Sequence, residues 1–352
     1  MAYVAVKGGS GAIEQSIKLL STFSSGKDKV TVQGIMENMP LLIDKVMSEA
    51  GLYAPEYAAL ALKQSYGSVE EAVFLLRAYR STLKRDYYSL PVDAKDMRII
   101  RRISASFKDV PGGQILGPTF YYTHRLLDFS LLDENEEKEN ASIINKEETA
   151  EDIYCDRVDD ILYEDGILEK AEENNEEPFD VTSNVLTFPA PRSARLQTLT
   201  RSESGFLEGV SYSSMRGYGA VHPTVSELRC GSLEICIPYP LKEGEVICVG
   251  EIVATEVEAL WPSHTETDEN FDKMVLKGGY GMVLGRNENK AIAMAIADAS
   301  LNSTGSTPSQ DEEFVLTHGD CLEMSGFISH LKLPHYVTFQ SKLDRVREKE
   351  EQ

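Results

Sequence analysis

The stretches SLEICIP, residues 232–238, and VICVGEIVATEVEAL, residues 246–260, decide the fold class of this chain. Apolar and polar residues alternate along both stretches, as they do in strands that bury one face. GGYGMVLG, residues 278–285, is predicted to be a further strand that begins and ends at glycines. Together these patterns predict a mostly antiparallel sheet in this part of the chain.

Helical patterns lie on both sides of the predicted sheet. Asn287 is predicted to cap a helix over residues 288–302. The first 130 residues are mostly helical by pattern, and Ser68 and Glu71 form a capping box that begins one of these helices. FVLTH, residues 314–318, is predicted to be a short strand. We therefore predict an α+β fold, in which a helical N-terminal region precedes a mostly antiparallel sheet region with helices.

Charge divides the chain into three predicted regions. Residues 133–180 hold 20 Asp and Glu against 4 Lys and Arg and so carry most of the formal net charge of -22. We interpret this segment as a solvated insert with one amphipathic helix inside it, an acidic interaction tail being the alternative. The predicted regions are a mainly helical region with a glycine turn (1–132), an acidic, flexible insert (133–185) and an α+β region with paired histidines (186–352).

Composition argues against several classes of protein. The strong negative charge is unlike the basic face of a nucleic-acid-binding protein. No apolar run is long enough for a membrane span, and the N-terminus lacks the pattern of a secretory signal. The five cysteines include no C-x-x-C pair, which predicts a reduced, cytoplasmic protein with free thiols. The same spacing argues against an iron–sulfur or structural zinc site made by the cysteines alone.

The segment richest in candidate functional residues is FKDVPGGQILGPTFYYTHRLLDF, residues 107–129. Pro111, Gly112 and Gly113 predict a turn whose free amides could hold phosphate oxygens. It is no Walker loop, because G-x-x-x-x-G-K-[ST] does not occur. A tight surface turn with ordinary solvated charges is the alternative interpretation. The cations near this turn, which would suit a triphosphate, are Arg101, Arg102, Lys108, His124 and Arg125.

Two further segments carry candidate residues. In GVSYSSMRGYGAVHP, residues 209–223, Arg216 could grip a phosphoryl group, although a structural turn is equally consistent with the pattern. In THGDCLEMSGFISHLKLPHYV, residues 317–337, Pro334 separates His330 from His335 and lets the second imidazole turn back towards the first. Such a pair could bind a divalent metal such as zinc, with open positions filled by water, substrate or another chain. Otherwise one histidine packs and the other forms hydrogen bonds.

Several of these strings resemble the PhnI family, a subunit of the bacterial carbon–phosphorus lyase core complex. The resemblance rests on KDVPGGQ and LGPTF, on SYSSMRGYGAVHP, on GYGMVLGRNENKAIAMAI and on HLKLPHYV, in this order. It covers nearly the whole chain except the acidic insert. One departure is Tyr121, which stands where the family pattern has an acidic residue.

The resemblance implies a function. A PhnI-like chain would work with PhnG, PhnH and PhnJ, and further with PhnK and PhnL, and would form a homodimer within the complex. With these partners it would transfer the ribose 5-triphosphate moiety of ATP to an alkylphosphonate such as methylphosphonate and release adenine. Alone it would act as a purine nucleosidase on ATP or GTP. The paired histidines of the family, which hold zinc, map to His330 and His335.

Residue roles follow as hypotheses from this reaction. Positive charge develops on the sugar as the purine leaves, so a carboxylate beside it and a proton donor to the base are needed. Mg²⁺ could accompany the triphosphate. The predicted roles are triphosphate binding by Lys108, Gly112, Gly113 and Arg125, phosphonate binding by Arg216, catalysis by Asp320 or Glu323, and metal binding by His330 and His335.

Two rival functions remain open. The chain could be a non-catalytic scaffold of the complex, with the chemistry held by its partners. It could instead be a zinc hydrolase, which would require a third protein ligand such as His318 or Asp320.

Overall fold

The computed structural model describes residues 9–24, 30–132, 153–168, 176–216, 222–266, 272–303 and 305–350. The α-helices in these ranges are α1 (Gly9–Leu20), α2 (Val32–Asn38), α3 (Pro40–Ala50), α4 (Pro55–Gln64), α5 (Val69–Thr82), α6 (Val158–Glu164), α7 (Arg192–Arg201), α8 (Ser204–Arg216), α9 (Glu288–Leu301), α10 (Glu312–His318), α11 (Cys321–His330) and α12 (Tyr336–Glu350). The strands are β1 (Arg98–Ile103), β2 (Thr224–Pro238), β3 (Val246–Glu266) and β4 (Asp272–Leu284). The predicted α+β fold is confirmed. None of the described helices has the length and apolar character needed to cross a bilayer.

Two compact units share the chain, and each is built from separated segments. The helical unit comprises Met1–Arg85, Glu177–Ser213 and Ser303–Gln352, and the sheet unit comprises Asp86–Glu176 and Ser214–Asn302. The boundary at residue 213 falls near the end of α8. The three regions predicted from composition are consecutive along the chain, whereas the two units are not. The predicted regions therefore stay a prediction.

The helical unit has its core among α2, α3, α4 and α5. Ser68 begins α5 as predicted, because its hydroxyl accepts a hydrogen bond from the Glu71 amide at 3.4 Å. Val73 and Leu76 of α5 are buried in this core, together with Val46 and Met47 of α3. The apolar face of α5 therefore stabilises the unit by burial, as its helical spacing predicts.

The sheet unit is a four-stranded antiparallel sheet in the order β1-β2-β3-β4. The predicted strands at 232–238 and 246–260 lie within β2 and β3, and the one at 278–285 lies within β4 except for its last residue, so these three predictions are confirmed. Helix α9 packs closely on one face, since a Cβ on Gly279 or Gly281 would collide with the α9 carbonyls of Ala295 and Ala291. Glycine is needed at these two strand positions because the backbones approach so closely.

The other face of the sheet is charged but buried, which differs from the half-buried strands that the sequence predicts. Glu256 and Glu258 of β3 are 1% and 5% exposed, and Arg229 of β2 is 1% exposed. The reason is the segment around α6, in which Val158 and Leu162 are buried and the Val158 amide donates to Glu227 at 2.9 Å. Alternation in a sequence cannot show that a later segment covers the polar face.

The acidic insert is only partly described. Residues 133–152 and 169–175 lie outside the described residues, so its predicted flexibility stays a prediction there. Helix α6 lies in the described part of the insert, within the stretch 153–168 for which an amphipathic helix is predicted, and it is shorter than that stretch.

Two predictions are wrong. FVLTH belongs to helix α10, because Asp311 caps that helix by accepting from the Phe314 amide at 2.9 Å and Glu312 and Glu313 favour its first turn. A five-residue apolar run does not distinguish a strand from a helix.

Five free thiols were predicted, but Cys236 and Cys248 form a disulfide. Their strands place them directly opposite each other, which no C-x-x-C spacing would reveal.

Candidate functional site

The predicted glycine turn is present in the sheet unit. Gly112 and Gly113 both have positive φ angles, 79° and 76°, and the Gly113 amide donates to the Val110 carbonyl at 2.8 Å. Both glycines are exposed at the surface of the unit. The Gly113 amide is thus occupied within the turn, so the Gly112 amide is the better placed of the two to meet an anion.

Arg102 stabilises this turn through contacts with its backbone carbonyls. Its side chain is completely buried, its Nε donates to Glu227, and one Nη donates to the Pro111 carbonyl. The same nitrogen lies 3.3 Å from the Gly113 carbonyl, and the other Nη donates to the Asp156 carbonyl at 2.8 Å. Because each of its three nitrogens donates to a group inside the unit, Arg102 holds the shape of the turn and is assigned no phosphate-binding role.

The guanidinium of Arg101 is likewise occupied by contacts inside the sheet unit. Its Nε donates to Glu288 at 2.7 Å, and a second nitrogen donates to the Leu116 carbonyl. Since the ion pair joins β1 to the first turn of α9, Arg101 stabilises the packing of these two elements. Of the cations predicted near the turn, Lys108, His124 and Arg125 are exposed and remain accessible to a ligand.

Arg125 is positioned by Tyr121. Its guanidinium carbon lies 4.9 Å from the centre of the Tyr121 ring, and the Tyr121 hydroxyl donates to the Asn289 side chain at 2.9 Å. Arg125 itself has a φ of 52°, an unusual conformation for a residue with a side chain. Tyr121 therefore has a structural role here, because its ring stacks on a candidate phosphate ligand. Sequence reasoning missed Asn289, which has no local signal.

Arg216 is the last residue of α8 and is exposed. Residues 217–221, which follow it, lie outside the described residues. A cation at the C-terminus of a helix is favoured by the helix dipole. Arg216 therefore also stabilises the end of α8, in addition to its predicted role as a ligand.

Asp320 has a structural role at the start of α11. One carboxylate oxygen accepts hydrogen bonds from the Leu322 and Glu323 amides, at 2.9 and 3.2 Å, and the other pairs with Arg77. Burial alone would raise the pKa of the Asp320 carboxyl, but the Arg77 guanidinium and the backbone amides overcome it and hold the pKa below its ordinary value. Asp320 is therefore a stable carboxylate rather than a proton donor. Glu323, three residues further, is exposed.

The two predicted metal ligands are close together. The ring centres of His330 and His335 lie 5.6 Å apart. The Nδ1 atom of His330 bonds to the Phe327 carbonyl, and that of His335 lies 2.6 Å from the Leu333 carbonyl. A carbonyl oxygen can only accept, so each Nδ1 carries a proton, and in the neutral form of the ring Nε2 has the lone pair. Histidines that bind zinc are commonly oriented in this way, so the pair fits two ligands of a zinc ion.

The predicted site residues fall in both units. Asp320, Glu323, His330 and His335 belong to the helical unit, and the triphosphate and phosphonate candidates belong to the sheet unit. Within the helical unit the structure brings the two histidines together. The prediction that both groups line one cleft stays a prediction.

Comparison with known proteins identifies the family. The model of the family "PhnI: Bacterial phosphonate metabolism protein (PhnI)" matches residues 2–352. The chain is 41% identical to "Alpha-D-ribose 1-methylphosphonate 5-triphosphate synthase subunit PhnI" of Escherichia coli, over 98% of this chain and 97% of that protein. It is 42% identical to the protein of the same name from Rhizobium meliloti, over 98% and 94% of the two chains. It is 44% identical to "Putative C-P lyase subunit protein HtxH" of Stutzerimonas stutzeri, over 99% and 95%. The chain therefore belongs to the PhnI family of bacterial phosphonate metabolism proteins.

Proposed function

We propose that this chain is a subunit of a carbon–phosphorus lyase complex and that, with its partners, it transfers the ribose 5-triphosphate moiety of ATP to an alkylphosphonate such as methylphosphonate, releasing adenine. The observation that carries the proposal is the nearly full-length similarity to two relatives that are named as subunits of an alpha-D-ribose 1-methylphosphonate 5-triphosphate synthase. The expected partners are PhnG, PhnH and PhnJ, together with PhnK, PhnL and a second copy of the chain, in the cytoplasm.

Substrate binding is assigned to exposed groups of the sheet unit. Lys108 and Arg125 offer positive charge to the triphosphate, and the turn at Gly112 and Gly113 lets phosphate oxygens approach the backbone. Arg216 is assigned to the phosphonate, because a guanidinium can bind two of its oxygens at once. Mg²⁺ could accompany the triphosphate. The phosphonate is already anionic, so it needs orientation rather than activation.

The carboxylates of the helical unit are assigned different roles. The pKa of Asp320 is lowered by Arg77 and the backbone amides despite burial, so this group remains charged and suits the stabilisation of the sugar cation. Glu323 is exposed and does not carry the helix cap, so we assign to it the proton or hydrogen bond for the departing purine.

His330 and His335 would hold the zinc ion through their Nε2 atoms, since both Nδ1 atoms are bonded to carbonyls. When bound, zinc would supply a positive charge that polarises or orients a phosphate or phosphonate. No group of three close candidate ligands that includes either histidine occurs in the part of the chain that the structure describes. Open positions would thus be filled by water, substrate or a partner chain, which disfavours a zinc hydrolase formed by this chain alone.

A non-catalytic scaffold is the second candidate function. The segment after the glycine turn exposes large apolar side chains, with Leu126 and Leu127 each 82% exposed and Leu132 80% exposed. Such residues are unusual on the surface of an isolated chain and are typical of a subunit interface. They are compatible with a catalytic subunit as well, so product analysis has to decide.

The test is product analysis with ATP. The purified chain is incubated with ATP, alone and with its partner subunits, and with or without methylphosphonate. We expect adenine and ribose 5-triphosphate from the chain alone, and adenine with a ribose 1-methylphosphonate 5-triphosphate product only when partners and methylphosphonate are present. No adenine under any condition would exclude the transferase. Adenine from the partners without this chain would support the scaffold instead.

A further inference from the structure

Two strands of the sheet unit bring two cysteines and a carboxylate together. Cys236 of β2 and Cys248 of β3 are direct partners in the antiparallel register and form a disulfide. Glu234 lies two residues before Cys236, so its side chain is on the same face of the strand. One Glu234 oxygen is 3.8 Å from the Cys248 sulfur. In the described chain these three residues form a group whose ligand atoms all lie within 4.8 Å of one another.

A groove opens beside this group. It has a volume of 490 Å³, and its lining includes Glu234, Cys236, Arg98 and Tyr154. The amide of Leu90 donates to the Cys236 carbonyl at 2.8 Å, which holds one wall of the groove against β2. Cys248 and Glu234 are exposed, so a solute can reach the pair from solvent.

We propose that reduction of the Cys236–Cys248 disulfide creates a binding site for a thiophilic divalent cation such as Zn²⁺, with Glu234 as the third ligand and the fourth position open to the groove. Zinc favours four-coordinate sites of thiolate, imidazole and carboxylate ligands. The site is independent of the ATP chemistry proposed above and of His330 and His335, which belong to the helical unit.

The geometry suits this cation. In a tetrahedral site with zinc–sulfur bonds of about 2.3 Å, the two sulfur atoms would lie about 3.8 Å apart. Directly paired residues of adjacent strands reach such a separation by rotation of their side chains. The Glu234 oxygen is already 3.8 Å from one sulfur, close to the distance between two ligands of one zinc ion. The direct pairing of Cys236 with Cys248, next to an irregularity of the register between Ile235 and Cys236, holds the two sulfur atoms close to each other.

Formation of the site requires two balanced steps. A small dithiol reductant transfers two electrons and two protons to the disulfide, which leaves two protein thiols and an oxidised, cyclic dithiol. Binding of the cation then displaces the two thiol protons to water, because thiolates are the ligands. Transfer of two electrons from the two thiolates to an oxidised dithiol, which takes up two protons from water, would restore the disulfide and release the cation. The pair would therefore bind metal only under reducing conditions.

The test uses the full chain with His330→Ala and His335→Ala, so that the other candidate metal site is removed. The chain is reduced with a phosphine, freed of reductant without oxygen and titrated with Co²⁺. We expect one equivalent of Co²⁺ to bind, with thiolate-to-cobalt charge-transfer bands, and Zn²⁺ to displace it. Thiol counting after unfolding should find three thiols before reduction and five after it, out of five cysteines.

Variants identify the ligands. Cys236→Ser and Cys248→Ser should each weaken binding by about tenfold or more, and Glu234→Gln should weaken it while the bands remain. Cys155→Ser is the matched control, because Cys155 is a free, partly exposed thiol of the same unit, and it should leave binding unchanged. In the unsubstituted chain, bound Zn²⁺ should protect two cysteines from alkylation. This measurement does not depend on the folding of a variant.

Several results would overturn the proposal. They are the absence of thiolate bands in the reduced chain, bands that persist when both cysteines are replaced, and equal metal binding by the oxidised chain. Five thiols before reduction would show that the disulfide is absent and that binding is not under redox control. An unchanged metal affinity of Glu234→Gln would show that Glu234 is not the third ligand.

Discussion

Gly112 and Gly113 share a left-handed backbone conformation, but their surroundings differ. A Cβ on Gly112 would lie 2.7 Å from the Cys155 sulfur and 2.9 Å from a guanidinium nitrogen of Arg102. A Cβ on Gly113 would have no heavy atom within 4 Å. Gly112 is therefore required for two reasons, its backbone conformation and the close approach of Arg102, whereas Gly113 is required for its conformation alone.

Replacement of each glycine by alanine separates these reasons. Both variants should lose about 1–2 kcal/mol of unfolding free energy through backbone strain, and Gly112→Ala should lose about 1–3 kcal/mol more through steric overlap. Urea denaturation of the two variants measures the difference. Equal losses would show that the space beside Gly112 is larger than the structure indicates.

At the scale of elements, the start of α11 depends on one carboxylate. Asp320 caps the helix through two amides and pairs with Arg77 of α5, so it joins two helices of the helical unit. Burial opposes its charge, but Arg77 and the amides lower its pKa. The folded-state pKa is thus below the unfolded value of about 3.9. The stabilisation is present above that value and is lost as the pH falls through the folded pKa.

Asp320→Asn tests this linkage, because Asn still caps a helix but cannot pair with Arg77 as an anion. At pH 7 the variant should lose about 1–2 kcal/mol of unfolding free energy, after allowance for solvent screening. Asp320→Ala should lose about 1 kcal/mol more, through the missing cap. The difference between wild type and Asp320→Asn should shrink as the pH is lowered below about 4. Denaturation series from pH 7 to acid measure it, and a constant difference would contradict the pairing.

At the scale of the whole molecule, the candidate residues are divided between the two units. The sheet unit holds the candidate triphosphate ligands, and the helical unit holds the candidate carboxylates and the histidine pair. The Nε2 atoms of that pair would give the proposed metal two ligands, and the remaining positions would depend on groups outside the pair. The assembled complex is therefore the right object for a test of the metal.

In the assembled complex, His330→Ala with His335→Ala should remove zinc and slow adenine release by about tenfold or more. The reason is that the positive charge of the zinc ion near the phosphoryl groups would be lost. Metal analysis and adenine assays measure the two effects. His318→Ala is the control, since His318 is in the same unit but its ring packs on Phe314, with 4.8 Å between the ring centres, rather than beside a second histidine. Unchanged adenine release without loss of metal would exclude the pair from the mechanism.

The predictability of the site differed from residue to residue. The turn at Gly112 and Gly113 was predictable because two successive glycines after a proline have few other uses. The proximity of His330 and His335 was predictable from Pro334, which interrupts the helix between them. The loss of Arg101 and Arg102 to ion pairs was not predictable, since Glu288 and Glu227 are more than 100 residues away along the chain. The stacking of Arg125 on Tyr121 was likewise hidden in the sequence.

The sequence by itself determined the fold class, much of β2, β3 and β4, the Ser68 cap and the family, because alternation, capping and motif strings are local and lie in the order of residues. Tertiary structure alone decided which charges are buried, as for Glu256 under the α6 segment, and which cysteines meet, as for Cys236 and Cys248. It also decided that Asp320 is a cap and ion-pair partner rather than a free acid. The physical reason is that burial and pairing depend on neighbours that are distant along the chain, and these neighbours set the charge and reactivity of each group.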